Sequence, residues 1–370
     1  MSAAPRPWHA TAEALLLPAG ALAAALLLFG LFVWFGGHSP VAVWVLLFQG
    51  AFGDAFSWQN SLQRAAPLML TALAVALPAR AGLTVIGGEG ALVLGALGCA
   101  GLPYLMPSLA GTGGSVLVLA AGALLGAAWV ALAGALRQWR GVNETISSLL
   151  LGYIGIALFK HVVEGPMRDP ASLNKPSTLP LAESLRIGPI SPESVLGDVH
   201  WGLVIGLLLC LAAGLWLSFT ASGFALRVVG GNARTARLVG LPTDRLVLLA
   251  CALGGAGAGL AGALEVAAVH FAANASVIAG LGYTGILVSF VARHNPWAIP
   301  PVALLFGGFA AAGSLLQRRL GLPDASVLVL QGFAFVFILA AEALRGRLFQ
   351  LPMPGLARLR LVAVQGRAVT

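Results

Sequence analysis

Charged residues are scarce in this chain of 370 residues, where Asp, Glu, Lys and Arg together make up only 9%. Soluble domains carry about 25% charged residues, so this composition excludes an ordinary soluble fold. Hydrophobic residues reach 59%, and the mean hydropathy is +0.92. Because one membrane-spanning helix takes about 20 apolar residues, the chain has room for about ten. We therefore expect an all-α, polytopic integral membrane protein.

Lysine is nearly absent: only Lys160, which follows Phe159, and Lys175, which follows Asn174, are present. A P-loop needs the sequence GxxxxGK[ST], whose lysine reaches the phosphates of ATP. Neither lysine stands in such a sequence, so we expect no ATP site and no cofactor bound by this chain. If transport is active, its energy must come from another subunit or from an ion gradient.

Motifs for metal binding and hydrolysis are also missing. The three cysteines lie far apart in apolar stretches, and no histidine stands at a ligand-like spacing from Cys, Asp or Glu. There is no GxSxG and no HExxH sequence. We therefore expect no metal site and no catalytic residues. The net charge of +8 comes from basic residues scattered between apolar blocks, which indicates membrane topology rather than nucleic-acid binding.

Uninterrupted apolar blocks, bounded by Pro, Gly or polar residues, predict ten membrane spans. They cover residues 14–35, 62–79, 82–106, 115–136, 145–163, 201–220, 246–269, 281–292, 297–316 and 325–343. The first is longer than a signal-peptide core, so we expect it to be retained. The eighth is short, which predicts a broken or strongly packed helix, because irregular backbone at membrane depth survives only inside protein.

Arginine and lysine are distributed unevenly between the predicted loops. With the N-terminus in the cytoplasm, most of the 21 basic residues fall on the cytoplasmic side, as the positive-inside rule requires. We therefore expect both termini in the cytoplasm and one transmembrane domain over residues 1–370. This topology puts the long loop 165–199 outside and the long loop 221–245 inside. The outer loop is rich in proline, which predicts an ordered, extended cap rather than a helix.

The inner loop contains a short amphipathic pattern. Ala233, Ala236 and either Val239 or Gly240 recur at helical spacing, while Arg234 and Arg237 face elsewhere. Gly240 and Pro242 are ordinary signals for the end of a helix. We expect a short helix at the membrane surface that can dock into a partner.

Glycine and alanine dominate two similar segments, GALLGAAWVALAGAL (122–136) and CALGGAGAGLAGAL (251–264). Residues this small let helix backbones approach closely within a membrane. The similarity is compatible with the inverted repeats found in transporters. A shared bias toward Gly and Ala explains it almost as well.

Glutamates at membrane depth are costly in lipid, so each serves either a pathway or packing. There are four: Glu89, Glu144, Glu265 and Glu342. For Glu89, among the glycines of IGGEGALVLG, a pathway role and capping of nearby backbone both remain open. Glu265 is a further pathway candidate near the outer end of its span. Glu144, in the first turn after the N-cap Asn143, and Glu342, close to an arginine, are better explained by helix stability.

Several blocks of sequence occur in a characteristic order. They are GLTVIGGEGALVLGA (82–96), NETISSLLLGYI (143–154), GPMRDP (165–170), GFALRVVGGNARTARLVGL (223–241), GYTGILVSFVARHNPWAIPPVALLFG (282–307) and QG (331–332). Together they resemble the bacterial ABC importer permeases for nucleosides and simple sugars, of the ribose and branched-chain amino acid permease superfamily. The chain resembles in particular the larger permease of a heterodimeric importer, whose fifth helix begins with Asn-Glu.

The resemblance implies the ABC importer permease fold in a bacterial inner membrane, and three protein partners. These are a cytoplasmic ATP-binding subunit that carries ATP and magnesium, a second permease that is non-identical or else another copy, and a periplasmic substrate-binding lipoprotein. It implies ATPase coupling through Gly223, Arg227, Gly231, Asn232, Arg234, Ala236 and Gly240. The residues expected to edge the substrate pathway are Glu89, Gly90, Asn143, Tyr153, Glu265 and Gln331.

Three positions depart from the family pattern: Val85, Ala91 and Gly152 stand where Asn, Gln and Asn are usual. Their polar groups could contact a sugar or base, so their loss weighs against a nucleoside. We expect a small, neutral, polar substrate such as a nucleoside, purine or simple sugar. A branched-chain amino acid permease and an ion-coupled secondary transporter are the alternatives, although four scattered glutamates fit ion coupling poorly.

Overall fold

The computed structural model describes residues 7–109, 112–172, 174–190 and 197–344. The thirteen α-helices within these ranges are α1 (Pro7–Phe35), α2 (Pro40–Phe52), α3 (Ala55–Arg80), α4 (Gly88–Leu105), α5 (Thr112–Arg140), α6 (Glu144–Glu164), α7 (Gly202–Phe219), α8 (Ala221–Gly231), α9 (Ala233–Leu238), α10 (Thr243–Leu264), α11 (Leu281–Val291), α12 (Ile299–Leu320) and α13 (Ser326–Ala343). A π-helical turn, Glu265–His270, extends α10. The described ranges contain isolated bridges but no strand, and the predicted all-α polytopic fold is confirmed.

All ten predicted spans coincide with helices. Nine helices in the described part of the chain are long and apolar enough to cross a membrane. The one remaining predicted span, the eighth along the chain, is α11, which has 11 residues. Its length of about 16 Å is roughly half the thickness of the hydrocarbon core. The backbone before it contains Ala273 and Val277, both buried. The prediction of a short, strongly packed eighth span is therefore confirmed.

The helix α2 was not predicted, because its 13 residues are too few to register as a span. It is nevertheless held against the bundle. A Cβ added at Gly50 would lie 2.8 Å from the Cα of Ala312 in α12, and the Ser61 hydroxyl of α3 donates to the Ala51 carbonyl at 2.6 Å. The next helix, α3, begins at Ala55 rather than residue 62, because Asp54 caps it.

The helix α4 begins at Gly88, so the prediction of a span from residue 82 is wrong at this end. Gly82 has φ +82°, and the chain then runs as irregular backbone to Gly87. The Ile86 amide donates to the Ser148 hydroxyl of α6 at 3.0 Å. Irregular backbone is tolerated here because a neighbouring helix satisfies it.

The two similar glycine-rich segments form the contact between α5 and α10. A Cβ added at Gly126 would lie 2.6 Å from the Cα of Gly259, and one at Gly134 would lie 2.8 Å from the Cys251 sulfur. Residue numbers rise along α5 as they fall along α10, so the two helices are antiparallel. Only small residues allow this approach.

Within the loop 165–199, the described residues 165–172, 174–190 and 197–199 include a segment that caps the end of α10. The Leu181 amide donates to the Phe271 carbonyl at 2.7 Å, and the Ile187 amide donates to the Ala267 carbonyl at 2.9 Å. The cap lies immediately before α7 in the chain, and the α8–α9 segment lies immediately after α7. Because α7 is one span, the cap and the α8–α9 segment lie at opposite ends of it. Which end faces the cytoplasm stays a prediction, and the termini, 1–6 and 345–370, lie outside the described residues.

Candidate functional site

A cleft of about 810 Å³ runs along one face of the protein, between α11 and α13. It follows α11 from Ile278, just before the helix, to Phe290 near its end. The α13 wall is one helical face, on which residues 328, 331 or 332, 335 and 339 recur at three or four positions. Its lining residues are Leu328, Gln331, Gly332, Phe335 and Leu339. The irregular segment before α4 contributes Thr84 and Ile86.

Four polar side chains line this mostly apolar cleft: Thr84, Tyr283, Thr284 and Gln331. The Thr284 hydroxyl donates to Gln331 Oε1 at 3.2 Å, and Tyr283 lies on the same end of α11. Apolar walls with a few placed polar groups are typical of small-molecule sites. Gln331 was predicted to edge the pathway, and it lies in the cleft while being only 7% exposed. Tyr283 and Thr284 were not among the predicted pathway residues. The sequence did contain a signal for them, because two polar side chains stand next to each other within a predicted span.

Glu89 lies behind the cleft, in the first turn of α4, and is only 1% exposed. Its carboxylate accepts hydrogen bonds from the Gly280 amide at 2.9 Å and the Gly282 amide at 2.6 Å. These amides belong to the N-terminus of α11, where unpaired donors and the helix dipole favour a negative charge. Gly280, which lines the cleft, has φ +75°, a conformation that glycine adopts without strain. Glu89 thus fixes the start of α11 rather than reaching the cleft itself.

The structure does not bring the other predicted pathway residues into the cleft lining. Gly90 packs at the α4–α6 crossing, where an added Cβ would lie 2.6 Å from the Gly152 Cα. Asn143 is the N-cap of α6, accepting from the amides of its first turn at 3.0 and 3.1 Å. Tyr153 is 59% exposed on α6, within electrostatic range of Tyr283.

Glu265 opens the π-helical turn at the capped end of α10. Its Oε2 lies 3.5 Å from His270 Nε2. A spacing of five residues does not bring side chains together on an α-helix, but the wider π turn does. The residues that the structure describes contain no group of three His, Cys, Asp or Glu close enough to hold a metal ion.

The three departures from the family pattern all fall outside the cleft lining. Val85 and Ala91 are buried in the core, and Gly152 lies against α4. Thr84 and Ile86, on either side of Val85, are the ones that line the cleft. These departures therefore bear on helix packing rather than on the groups available to a substrate.

The α8–α9 tip, residues 221–240, protrudes at the end of the bundle opposite the cap. Asn232 ends α8 and caps α9, accepting from the amides of Arg234 and Thr235 at 3.0 Å each. Gly240 has φ +82° and ends the segment. The predicted short helix and its stop are confirmed, while α8 is an additional helix that the pattern did not predict.

The predicted coupling residues have different environments in the tip. Gly223 packs against the end of α7, and Ala236 is the fully buried residue of α9. The exposed ones are Arg227, Gly231, Asn232, Arg234 and Gly240. Val239, one of the two residues predicted to complete the apolar spacing of this helix, lies just beyond the end of α9 and is 67% exposed. With Leu238, 83% exposed, it forms an apolar knob beside arginines.

A bundle of helices long enough to span a membrane, with a cleft between α11 and α13 and an exposed helical tip, has the architecture expected of a membrane transport permease. A family model described as branched-chain amino acid transport system, permease component, matches residues 57–339. This chain belongs to that family of ABC-type permeases. Membership argues against an ion-coupled secondary transporter, since ABC permeases work with an ATPase.

Named relatives align over most of the chain. The glucose ABC transporter permease protein TsgB13 of Haloferax volcanii is 31% identical over 310 residues, 82% of this chain and 81% of the relative. The guanosine ABC transporter permease protein NupP of Bacillus subtilis is 25% identical over 334 residues, covering 90% and 94%. The nucleoside ABC transporter permease protein NupB of Lactococcus lactis is 25% identical over 311 residues, covering 83% and 85%.

Proposed function

We propose that this chain forms, with a second permease, the pathway that imports a neutral polar metabolite, either a nucleoside or a simple sugar. The observation that best supports this is the chemistry of the cleft. Among its described lining residues there is no Asp, Glu, Lys, Arg or His, whereas Tyr283, Thr284 and Gln331 offer hydroxyl and amide groups. A sugar or base can exchange its hydrogen bonds with water for these groups without any charge being buried.

A branched-chain amino acid suits this cleft less well. Its ammonium and carboxylate would each need an opposite charge or several hydrogen bonds once removed from water. The described lining supplies no charge, and the relatives above are named for glucose, guanosine and nucleosides. We therefore favour the nucleoside and sugar class.

The energy would come from a separate ATPase subunit, which binds ATP and magnesium and docks on the α8–α9 tip. The exposed Leu238 and Val239 form an apolar contact, and Arg227 and Arg234 supply positive charge around it. Such a knob fits an apolar groove with an acidic rim. On this proposal the tip faces the cytoplasm of a bacterial cell and the membrane is the inner membrane.

The remaining partners follow from two other surfaces. The cleft is open to one side, and α6 beside it carries an exposed apolar stripe that includes Ile146, Leu150 and Tyr153. A second permease, non-identical or another copy of this chain, would cover both. The capping loop, in its described residues 174–190, would receive substrate from a periplasmic binding lipoprotein.

The role of the cleft in transport can be tested with Gln331→Leu. This change replaces the polar amide with an apolar group and alters the size of the side chain little. Losing one buried hydrogen bond of about 1.4 kcal/mol should raise the KM for uptake about tenfold. Labelled guanosine, glucose and leucine would be supplied separately to proteoliposomes that contain the complete transporter. The control is Gln317→Leu, an exposed glutamine on α12. A preference for leucine would refute the substrate class, and an unchanged KM in Gln331→Leu would remove the cleft from the pathway.

The docking surface can be tested with two matched glycines. Gly240 and Gly37 both have φ +82° and open space around the missing Cβ. Valine is strained at either position. Only Gly240 belongs to the tip, because Gly37 lies between α1 and α2. Gly240→Val should reduce co-purification of the ATPase and Gly37→Val should not. Equal co-purification in both variants would contradict docking at the tip.

A further inference from the structure

The α8–α9 tip meets the end of α3 in a close backbone contact. Gly230 of α8 lies against the Arg80 carbonyl so closely that no Cβ could be accommodated. Gly82 turns the chain past this contact, and a Cβ on it would lie 3.3 Å from the Gly230 carbonyl oxygen. At this point α8 and the end of α3 are in direct contact, with no side chain of Gly230 between them.

The Arg80 side chain continues this contact to the turn that ends α11. Its Nε donates to the His294 carbonyl at 2.9 Å. His294 Nδ1 lies 2.8 Å from the hydroxyl of Ser289, a fully buried residue of α11. Arg293 and His294 have φ values of 56° and 53°, a costly conformation for two consecutive non-glycine residues. Such a turn persists only where its surroundings fix it.

The same turn borders the cleft. The rings of His294 and Phe290 are 4.8 Å apart, and those of Phe290 and Phe335 meet edge to face at 6.0 Å. Both phenylalanines line the cleft, near the end closer to the tip. Glu342, on α13, lies within electrostatic range of His294. The turn therefore contacts the α11 wall of the cleft at this end, and Phe290 links it to the α13 wall.

We propose that Arg80 is a positioning residue that transmits movement of the α8–α9 tip to the Arg293–His294 turn, and so to the Phe290–Phe335 contact that closes one end of the cleft. This proposal rests on the proposed function, because it assigns a mechanical connection between the docking surface and the pathway. Contact alone does not establish energetic coupling between two sites. The test must therefore measure coupling itself.

The decisive variant is Arg80→Met, which keeps the length and apolar stem of the side chain and removes its donors. In proteoliposomes with the complete transporter, ATPase co-purification and ATP hydrolysis should stay within about twofold of the parent. Substrate taken up per ATP hydrolysed should fall about tenfold, the usual consequence of losing a hydrogen bond from a charged donor. Arg80→Lys, which retains a donor of similar reach, should restore part of the uptake. Arg140→Met, an exposed arginine at the same end of the bundle, is the matched control and should behave like the parent.

A double-mutant cycle with Phe290→Ala tests the route. If Arg80 acts through the phenylalanine contact, Arg80→Met should cause no further loss of coupling once Phe290 is truncated. Additive losses would overturn the route, and normal coupling in Arg80→Met would overturn the role of Arg80. If the parent itself shows no ATPase-dependent uptake, the proposed function fails instead. Loss of ATPase co-purification in Arg80→Met would show a docking defect and would also overturn the proposal.

Discussion

The replacement of Glu89 by Gln is the most informative single change in this molecule. The side chain keeps its size, but one of the two carboxylate oxygens that accept from Gly280 and Gly282 becomes an NH₂ group. That group faces an amide N–H in a site that is almost fully buried. Neither donor then has an acceptor.

The cost can be worked out from these two contacts. A hydrogen bond to a charged group contributes about 1.5–3 kcal/mol, and a buried donor left unsatisfied costs about 1–3 kcal/mol. The carboxylate charge at the N-terminus of α11 adds up to about 2 kcal/mol in a buried geometry. Because glutamine retains one acceptor, and such contributions overlap, we expect a destabilisation of about 3 kcal/mol.

The assay pairs stability with transport. The thermal unfolding midpoint of the purified protein in detergent should fall in Glu89→Gln, and uptake should decline because α11 forms one wall of the cleft. Glu183→Gln changes an exposed carboxylate in the cap and should stay within about 0.5 kcal/mol of the parent. If Glu89→Gln had the same unfolding midpoint and the same uptake as the parent, the stabilising role of the Glu89 hydrogen bonds between α4 and α11 would be refuted.

Three further predictions concern packing, pH and sidedness. Gly126→Val should cost at least about 3 kcal/mol and yield little folded protein, because the facing backbone of α10 leaves no room for a side chain; Gly20→Val, with open space around its Cβ, should be recovered normally, and equal yields would contradict the close contact. Burial and a nearby arginine lower the pKa of His294 to about 4 from 6.5. The folded protein therefore keeps His294 neutral, whereas the unfolded chain protonates it below about pH 6.5. The free energy of unfolding is therefore highest above about pH 6.5 and falls by at most about 3 kcal/mol as the pH drops toward 4. His294→Gln should flatten that part of the pH dependence of the unfolding midpoint, and identical curves would contradict the assignment. Cysteines introduced at Glu183 and Thr235 should react with an impermeant thiol reagent from the periplasm and the cytoplasm respectively, and the reverse pattern would overturn the topology.

Composition and hydropathy alone predicted a polytopic all-α membrane protein and the approximate position of every long span. That succeeded because the transfer of a helix into lipid depends on its own apolar residues and requires no knowledge of its neighbours. The same reasoning identified the short eighth span and the stop at Gly240, both of which are local signals. The absence of a P-loop lysine and the sequence of the tip directed attention to an external ATPase.

Local reasoning reached its limit where residues act across helices. It did not detect α2, which is too short to span and is held by its contacts with α3 and α12. It left Glu89 open between a pathway role and capping of nearby backbone, since the amides that Glu89 accepts from lie about 190 residues further along the chain. Tyr153 and Gly90 were themselves predicted to edge the pathway, yet Tyr153 is exposed on α6 and Gly90 packs at the α4–α6 crossing.

What the sequence by itself determined is therefore an ABC-type permease with about ten helices, a glycine-rich interior and a docking segment in a known order along the chain. Only the tertiary structure decided which faces of α11 and α13 enclose the cleft, which glutamate holds α11 in place, and how Arg80 meets His294. The physical reason is that hydropathy is a property of each segment, whereas a site is made by side chains from distant segments whose helices cross where small residues permit.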